Sequence, residues 1–384
     1  MQNRFIYYLI TIISFTSCGL QSNTSESAGD LNWRLFRGNS GLSGYTEKSL
    51  PEQPELNWIY ETKERTVSSP IVEEGTTYWC DRKGLIYGVD INGQQVFSFA
   101  LHTAVEATPI IKDSVLYIGR IDGYLSAISL AQNDSIWNYE TLGQISASPN
   151  VATFQNQEAI VAGSYDNFMY CVNLQDGSLI SKFESGYYLN GAAALWNNHV
   201  IFGGCDSWLR IINCETGEAT DSLKTEAYIP SSPAIMGNYC YVGDYNGNMY
   251  EILLENGKIS GHKKISLGSD KNGSFVSVPA ISSQDVFFYP DGRHLLSIDR
   301  RTGKTNWKFM FKGDVGESAP VICQDKIITC TKTGIISIID TEKGQLLWEY
   351  DTGEQIIGSP AIIKDHFMIL TSKGTLFCFG PQKQ

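Results

Sequence analysis

The feature that most constrains this chain is a small residue followed by proline. It returns at Ser69-Pro70, Thr108-Pro109, Ser148-Pro149, Ser232-Pro233, Val278-Pro279, Ala319-Pro320 and Ser359-Pro360. The steps between successive prolines are 39, 40, 84, 46, 41 and 40 residues. A period of this size marks a repeat architecture, in which each unit buries its faces only against its neighbours. A turn dipeptide begins 13 residues after most of these prolines, at Lys83-Gly84, Asp122-Gly123, Asn246-Gly247, Thr333-Gly334 and Lys373-Gly374. Counting back from Asp206-Ser207 places a degenerate anchor at Ala192-Ala193, which divides the long step and gives eight repeats.

Each repeat carries four short apolar runs. One follows the proline (Ile71-Val72, Ala361-Ile362-Ile363) and one precedes the turn dipeptide (Val115 to Gly119, Tyr239 to Gly243). A third follows that dipeptide (Leu125 to Leu130), and a fourth carries an aromatic residue (Trp137, Trp307, Trp348). Four antiparallel strands in about 40 residues make one propeller blade. The fold class expected is all-β, an eight-bladed β-propeller of four-stranded antiparallel blades. The 36 glycines and scarcity of helix-period stretches agree with many short strands and tight turns. Proline suits the start of the innermost strand, where its missing N–H costs no ladder bond. The last repeat, from Pro360, has three strands and no fourth, whereas Glu55 to Tyr60 is a spare fourth-type strand whose Trp58 stands 12 residues before Pro70, as Trp137 does before Pro149. The N-terminal strand is expected to close the ring. Two insertions break the period, and Phe154–Glu158 and Gly268–Ser274 are expected to form longer loops.

The hairpin Ser297, Asp299, Thr302-Gly303-Lys304, Trp307 resembles the tryptophan-docking repeat of pyrroloquinoline-quinone-type propellers, and Trp33 to Gly38 resembles the N-terminal stretch of that superfamily. The hairpin returns in weaker form at Ile339 to Gly344 with Trp348, at Asn213 to Gly217, and at Leu174 to Gly177 with Phe183. The resemblance implies the fold over residues 33–380. Two branches of that superfamily bear on activity: quinoprotein dehydrogenases, and the non-catalytic BamB-like lipoprotein propellers of outer-membrane assembly. A bare propeller with no adjacent cysteine pair and no long inter-blade insertions resembles the second, which implies a protein-binding scaffold with no cofactor and no metal. A small-molecule or glycan binder and a quinone-dependent oxidoreductase are the alternatives.

Residues 1–17 read as a signal peptide, with Arg4 followed by an apolar stretch from Phe5 to Phe15 that is too short to span a bilayer. Phe15-Thr16-Ser17-Cys18 resembles a bacterial lipobox, which implies cleavage before Cys18 and lipidation of its thiol. Residues 18–32 read as a flexible tether. The expected location is the cell envelope, with the chain lipid-anchored to the outer membrane on its periplasmic side. A net charge of −12 with no basic patch argues against nucleic acid as a partner.

The five histidines fall on different repeats and read as surface or loop residues, and Asp244 to Asn248 reads as a turn rather than a calcium loop. The eight cysteines after Cys18 read as mostly free, buried thiols, with Cys214 opposite His199. Loops leading into the innermost strands, three to five residues before each anchor, are expected to line one mouth of the channel: Arg65, Glu106, Gln144, Tyr188, Asn190, Tyr228, Phe275, Glu317 and Gln355, with Tyr187 beside Tyr188. Tyr187, Tyr188, Asn190, Tyr228, Phe275, Glu106 and Glu317 are the candidate partner-binding residues, because mixed aromatic and polar rims are typical of recognition surfaces. The Gly268–Ser274 loop is expected beside them. The turns at Lys83 and Lys373 are expected on the opposite face.

Overall fold

The computed structural model describes residues 29–154, 157–267, 273 and 275–382. Eight antiparallel sheets of four strands form the ring, one of them extended by a short parallel strand, Tyr45–Thr46, paired with Val321–Cys323. Blades one to eight span 71–100, 110–140, 150–184, 194–224, 234–265, 280–310, 321–351 and 361–380. The first strand of each blade is short and faces the axis, and its edge meets the first strands of neighbouring blades. Blade eight takes its fourth strand from Glu55–Glu61, which pairs antiparallel with Thr375–Gly380 and sets Trp58 opposite Cys378. The ring is closed by the N-terminal strand as the spacing predicts.

Hydroxyls beside the anchor prolines tie the blades together at the axis. The Ser69 amide donates to Thr108 Oγ1 of the next blade at 2.9 Å, and the Thr108 amide to Ser148 Oγ at 3.2 Å. Across the closure, the Ala319 amide donates to Ser359 Oγ and the Ser359 amide to Ser69 Oγ. The small residue before proline therefore does more than fit a crowded axis, because its side chain accepts a bond that an innermost edge strand would otherwise leave unmade.

The tryptophans tie the blades together at the periphery. One unpaired residue in the fourth strand precedes each of Trp58, Trp137, Trp307 and Trp348, a bulge that re-aims the side chain toward the next blade. Trp58 Nε1 donates to the Ile91 carbonyl at 2.8 Å, Trp137 Nε1 to Leu174 at 3.2 Å and Trp307 Nε1 to Thr341 at 2.9 Å. The turn glycine under each ring has positive φ, and a Cβ there would meet the indole: Gly177 lies against Trp137 and Gly344 against Trp307. In blade three the docking position belongs to Ser181 rather than to Phe183, and its hydroxyl donates to the Cys214 carbonyl.

Two expectations about local structure are corrected. The extra residues at 154–158 lengthen a hairpin, Asn150–Phe154 against Gln157–Gly163, because the added residues extend both strands in register; residues 155–156 lie outside the described residues. His199 stands opposite Asn213, one residue from the expected Cys214, because the turn pairs Gly204 with Trp208. The Gly268–Ser274 insertion, apart from Gly273, and Cys18 lie outside the described residues.

Candidate functional site

The two mouths of the channel are finished differently. Residues 30–49 run across the far one and reach every blade. Trp33 pairs with Val72, and the amides of Ile111, Leu195, Ile235, Ile281 and Ile322 donate to the carbonyls of Arg34, Ser40, Gly41, Ser43 and Gly44. Asn150 Nδ2 reaches the Ser40 carbonyl for blade three, and the Lys364 and Asp365 amides reach Asp30 and Ser49 for blade eight. Arg37, 1% exposed, donates to the carbonyls of Leu42, Pro279, Pro320 and Ser43. Burial lowers its pKa to about 9, so it remains a cation at neutral pH. Nothing in the repeat pattern announces this segment. Apart from Arg37, most of its work is done by backbone carbonyls, which carry no residue signature.

At the near mouth, three consecutive positions of each lead-in loop face three directions. The residue three before the anchor points to the axis. Val67, Glu106, Ser146, Asn190, Pro230, Val276, Glu317 and Ile357 line a narrow channel mouth of about 190 Å³, with Phe36 of the far segment at its floor. The residue four before the anchor turns between blades: Val105, Ile145, Leu189, Ile229, Phe275 and Ile356 are all at most 2% exposed. Four of these wedges sit on a glycine that ends a second strand. A Cβ at Gly119, Gly163, Gly203 or Gly243 would lie 2.2 to 2.8 Å from Ile145, Leu189, Ile229 or Phe275 respectively. Phe275 is therefore corrected from a rim residue to a core residue, packed edge-on to Phe288. The glycine before each turn was the sequence signal that would have identified it.

The residue five before the anchor reaches solvent in the other described blades, whereas Val315 of blade seven is buried. In blades three to five this position is Gln144, Tyr188 and Tyr228, and the backbone is pinned on both sides in blades three and five and on one in blade four. The Tyr165, Cys205 and Tyr245 amides donate to the Gln144, Tyr188 and Tyr228 carbonyls, and the Ile145 and Ile229 amides donate to the preceding blade's turn. The rings then find one another. Tyr165 and Tyr188 stack at 5.3 Å, Tyr187 packs on Tyr188 at 4.6 Å, and Tyr228 and Tyr245 stack at 4.4 Å. Cys205 lies between the two groups, within 3.2 Å of Asn190 Nδ2. Tyr187, Tyr188 and Tyr245 are 51%, 43% and 47% exposed, and Leu142 at the edge of the same arc is 93% exposed. The arc therefore contains three of the expected residues, Tyr187, Tyr188 and Tyr228, with Asn190 just inside it. The loop reading missed Tyr165 and Tyr245, because they sit in turns.

The opposite arc of this face is charged and self-satisfied. Arg82 pairs with Glu106, Lys83 with Glu64 and Lys373 with Glu354. Those turns share the face with the tyrosines, contrary to expectation, because the second strand rises to the same end of the blade at which the lead-in loop arrives: the Arg82 amide donates to the Arg65 carbonyl. Glu106 and Glu317, on blades two and seven, border the channel mouth without meeting the tyrosines.

The turn at Asp244 spends its carboxylate internally, accepting from the Asn248 amide and side chain and from the Tyr250 hydroxyl. Among the described residues, no three His, Cys, Asp or Glu side chains are grouped to hold a metal ion. His199, His262, His294 and His366 lie in strands on separate blades rather than in loops. A larger cavity, about 840 Å³, opens on the far face beside blade six and is lined by Tyr239, Tyr241, Asp285, Arg300, Arg301 and Asn306.

Comparison with known proteins bears on both fold and family. A family model described as outer membrane protein assembly factor BamB matches residues 51–260 and 291–381. A protein of that name from Legionella pneumophila (strain Paris) is 25% identical over 136 residues, 35% of this chain and 33% of its own length. The match thus spans about a third of that relative. Among solved structures, BamB from Moraxella catarrhalis superposes with a TM-score of 0.73 at 14% identity, covering 85% of this chain and all of that one. Quinohemoprotein alcohol dehydrogenase from Comamonas testosteroni gives a TM-score of 0.74 at 11% identity, covering 94% of this chain and 82% of that one. At such identities both likenesses speak to the fold alone.

Proposed function

The chain belongs to the family of outer membrane protein assembly factor BamB, and on that premise we propose that it is a non-catalytic scaffold that binds a protein partner through the near face of the ring, in outer-membrane protein assembly. The observation that carries this reading is the tyrosine arc over blades three to five. Tyr187, Tyr188 and Tyr245 stand exposed, stacked on one another or on Tyr165 and Tyr228, and backbone hydrogen bonds tie the lead-in loops to the turns beside them. Rigid tyrosines offer wide contact area at little entropic cost, so the scaffold has little left to order on binding. The channel mouth itself, about 190 Å³, is smaller than the roughly 300 Å³ at which small-molecule pockets begin. Recognition is therefore assigned to the face around it.

A quinone cofactor with its cation does not fit this mouth. Such a site needs several hard oxygen ligands converging beside a flat ring system. Glu106 is held by Arg82, and Glu317 stands on a different blade, beyond the narrow opening. The far-face cavity favours a second reading, a small polar ligand held by Arg300, Asp285 and Asn306. Arg300 is already engaged there, stacked over Tyr239 and Tyr241 and bonded to the Ser282 and Ser283 carbonyls.

In this proposal Cys18 carries lipid and tethers the ring to the periplasmic side of the outer membrane. The lipobox-like tetrad and the family support it. Cys18→Ala should release the protein into the soluble periplasmic fraction, because a lipid chain is the main hold a tethered domain has on a bilayer. The wider reading is tested by affinity capture of the full chain from its own envelope. Recovery of outer-membrane assembly components supports it, and a partner-free monomer with a bound metabolite supports the second reading instead.

A further inference from the structure

We propose that Cys171 and Cys214 form a disulfide that staples blade three to blade four. At three other joints a tryptophan of one blade docks on the turn of the next and donates to its carbonyl. At this joint the equivalent residue is Ser181: it stands opposite Cys171 as Trp137 stands opposite Ala127 and Trp307 opposite Ser297. Ser181 keeps the polar half of the dock, donating to the Cys214 carbonyl. The apolar half, an indole, is missing. In its neighbourhood two sulfurs meet at 2.8 Å, one from each blade. Both residues are 0% exposed. That separation lies inside the ordinary contact distance of two unbonded sulfurs and is about 0.8 Å longer than a bonded pair. Gly217, in the turn that carries Cys214, lies close against Ser181 and the Lys182 carbonyl, so the turn is packed directly on blade three.

Contact with Cys171 and burial both raise the Cys214 pKa. The Cys214 thiolate is therefore scarce once the blades have docked, so the bond forms most readily as blade four folds onto blade three. The oxidant is a thiol–disulfide oxidoreductase of the exported compartment. One cysteine thiolate attacks its disulfide, forming a mixed disulfide and expelling a thiolate. The second cysteine displaces the remaining oxidant sulfur. The chain loses two protons and two electrons, and the oxidant leaves as a dithiol. The resemblance of residues 1–18 to an export signal is consistent with that compartment.

The full chain, purified from the envelope, is denatured in the presence of N-ethylmaleimide so that any free thiol is alkylated, digested without reductant and mapped by mass spectrometry. The expected result is a linked pair of peptides carrying Cys171 and Cys214, two hydrogens lighter than the free pair. Alkylation of both cysteines would overturn the proposal. A second measurement does not depend on digestion. The bond closes a segment of 43 residues, so the oxidised wild type should melt about 5 °C above the protein refolded with reductant. The variant Cys171→Ala/Cys214→Ala should show no such difference. Equal sensitivity of wild type and variant to reductant would refute the staple.

Discussion

The two mouths of the ring are built from the same eight blades, yet one is finished with backbone and the other with side chains. At the far mouth residues 30–49 give carbonyls to the innermost strands blade after blade, and Arg37 is buried among carbonyl oxygens. At the near mouth the lead-in loops are pinned as well, but Tyr187 packs on Tyr188 and Tyr245 on the half-buried Tyr228, and Tyr187, Tyr188 and Tyr245 keep much of their surface in water. Bonds completed inside the molecule contribute stability. Apolar surface left outside on a rigid support is available to a partner. Changes at the far mouth should therefore cost stability, and changes at the near mouth should cost binding.

The largest expected effect is loss of the closing strand. Deleting residues 55–60 removes the pairing with Thr375–Gly380 and the Trp58 dock on Ile91, and leaves blade eight with an open edge. Size-exclusion chromatography should show aggregates. A monomeric deletion variant with unchanged melting temperature would contradict the closure. Next, Arg37→Ala strips several buried carbonyls of their donor and leaves a cavity, and should lower unfolding stability by about 3 kcal/mol in urea titrations. A loss under about 1 kcal/mol would show that the far segment is an ornament rather than a seal.

A third change separates the core beneath the near mouth from its surface. Gly243→Ala drives a Cβ to within 2.2 Å of Phe275 and should cost about 1–3 kcal/mol through overpacking. If stability is untouched, Phe275 is mobile and the assignment of that position to the core fails. The smallest expected effect is that of Lys83→Ala/Lys373→Ala. These lysines pair with Glu64 and Glu354 at exposed sites on the charged arc. Surface pairs of this kind contribute little, so stability should change by less than about 1 kcal/mol.

The period, the number of blades and the closing strand were legible because each is written in residues with local consequences. Proline lacks an N–H, glycine accepts positive φ, and tryptophan needs a place to bury its ring. Tyr188 and Tyr228 were legible for the same reason, since each stands five residues before an anchor. Phe275 was misplaced because three adjacent loop positions face outward, inward and toward the axis, and the insertion before it blurred the count. Tyr245 lay inside a stretch read only as a turn, and Tyr165 carries no mark of its own in the repeat, yet both turns rise to the same face as the loops. The far-mouth segment was the least legible. It has no period, and apart from those of Arg37 most of its hydrogen bonds to the blades are made by backbone.

The most direct test sets two pairs of substitutions on one face against each other. Tyr188→Ala/Tyr228→Ala alters the aromatic arc, and Lys83→Ala/Lys373→Ala alters the charged one. Both proteins should first match the wild type within about 1 kcal/mol of unfolding stability. Affinity for the partner captured from the envelope is then measured by titration calorimetry. The tyrosine pair should lose more than about 2 kcal/mol of binding free energy, some thirtyfold in Kd, while the lysine pair stays near wild type. Equal losses for the two pairs, or no loss for the tyrosines, would contradict the assignment of the near-face arc as the recognition surface.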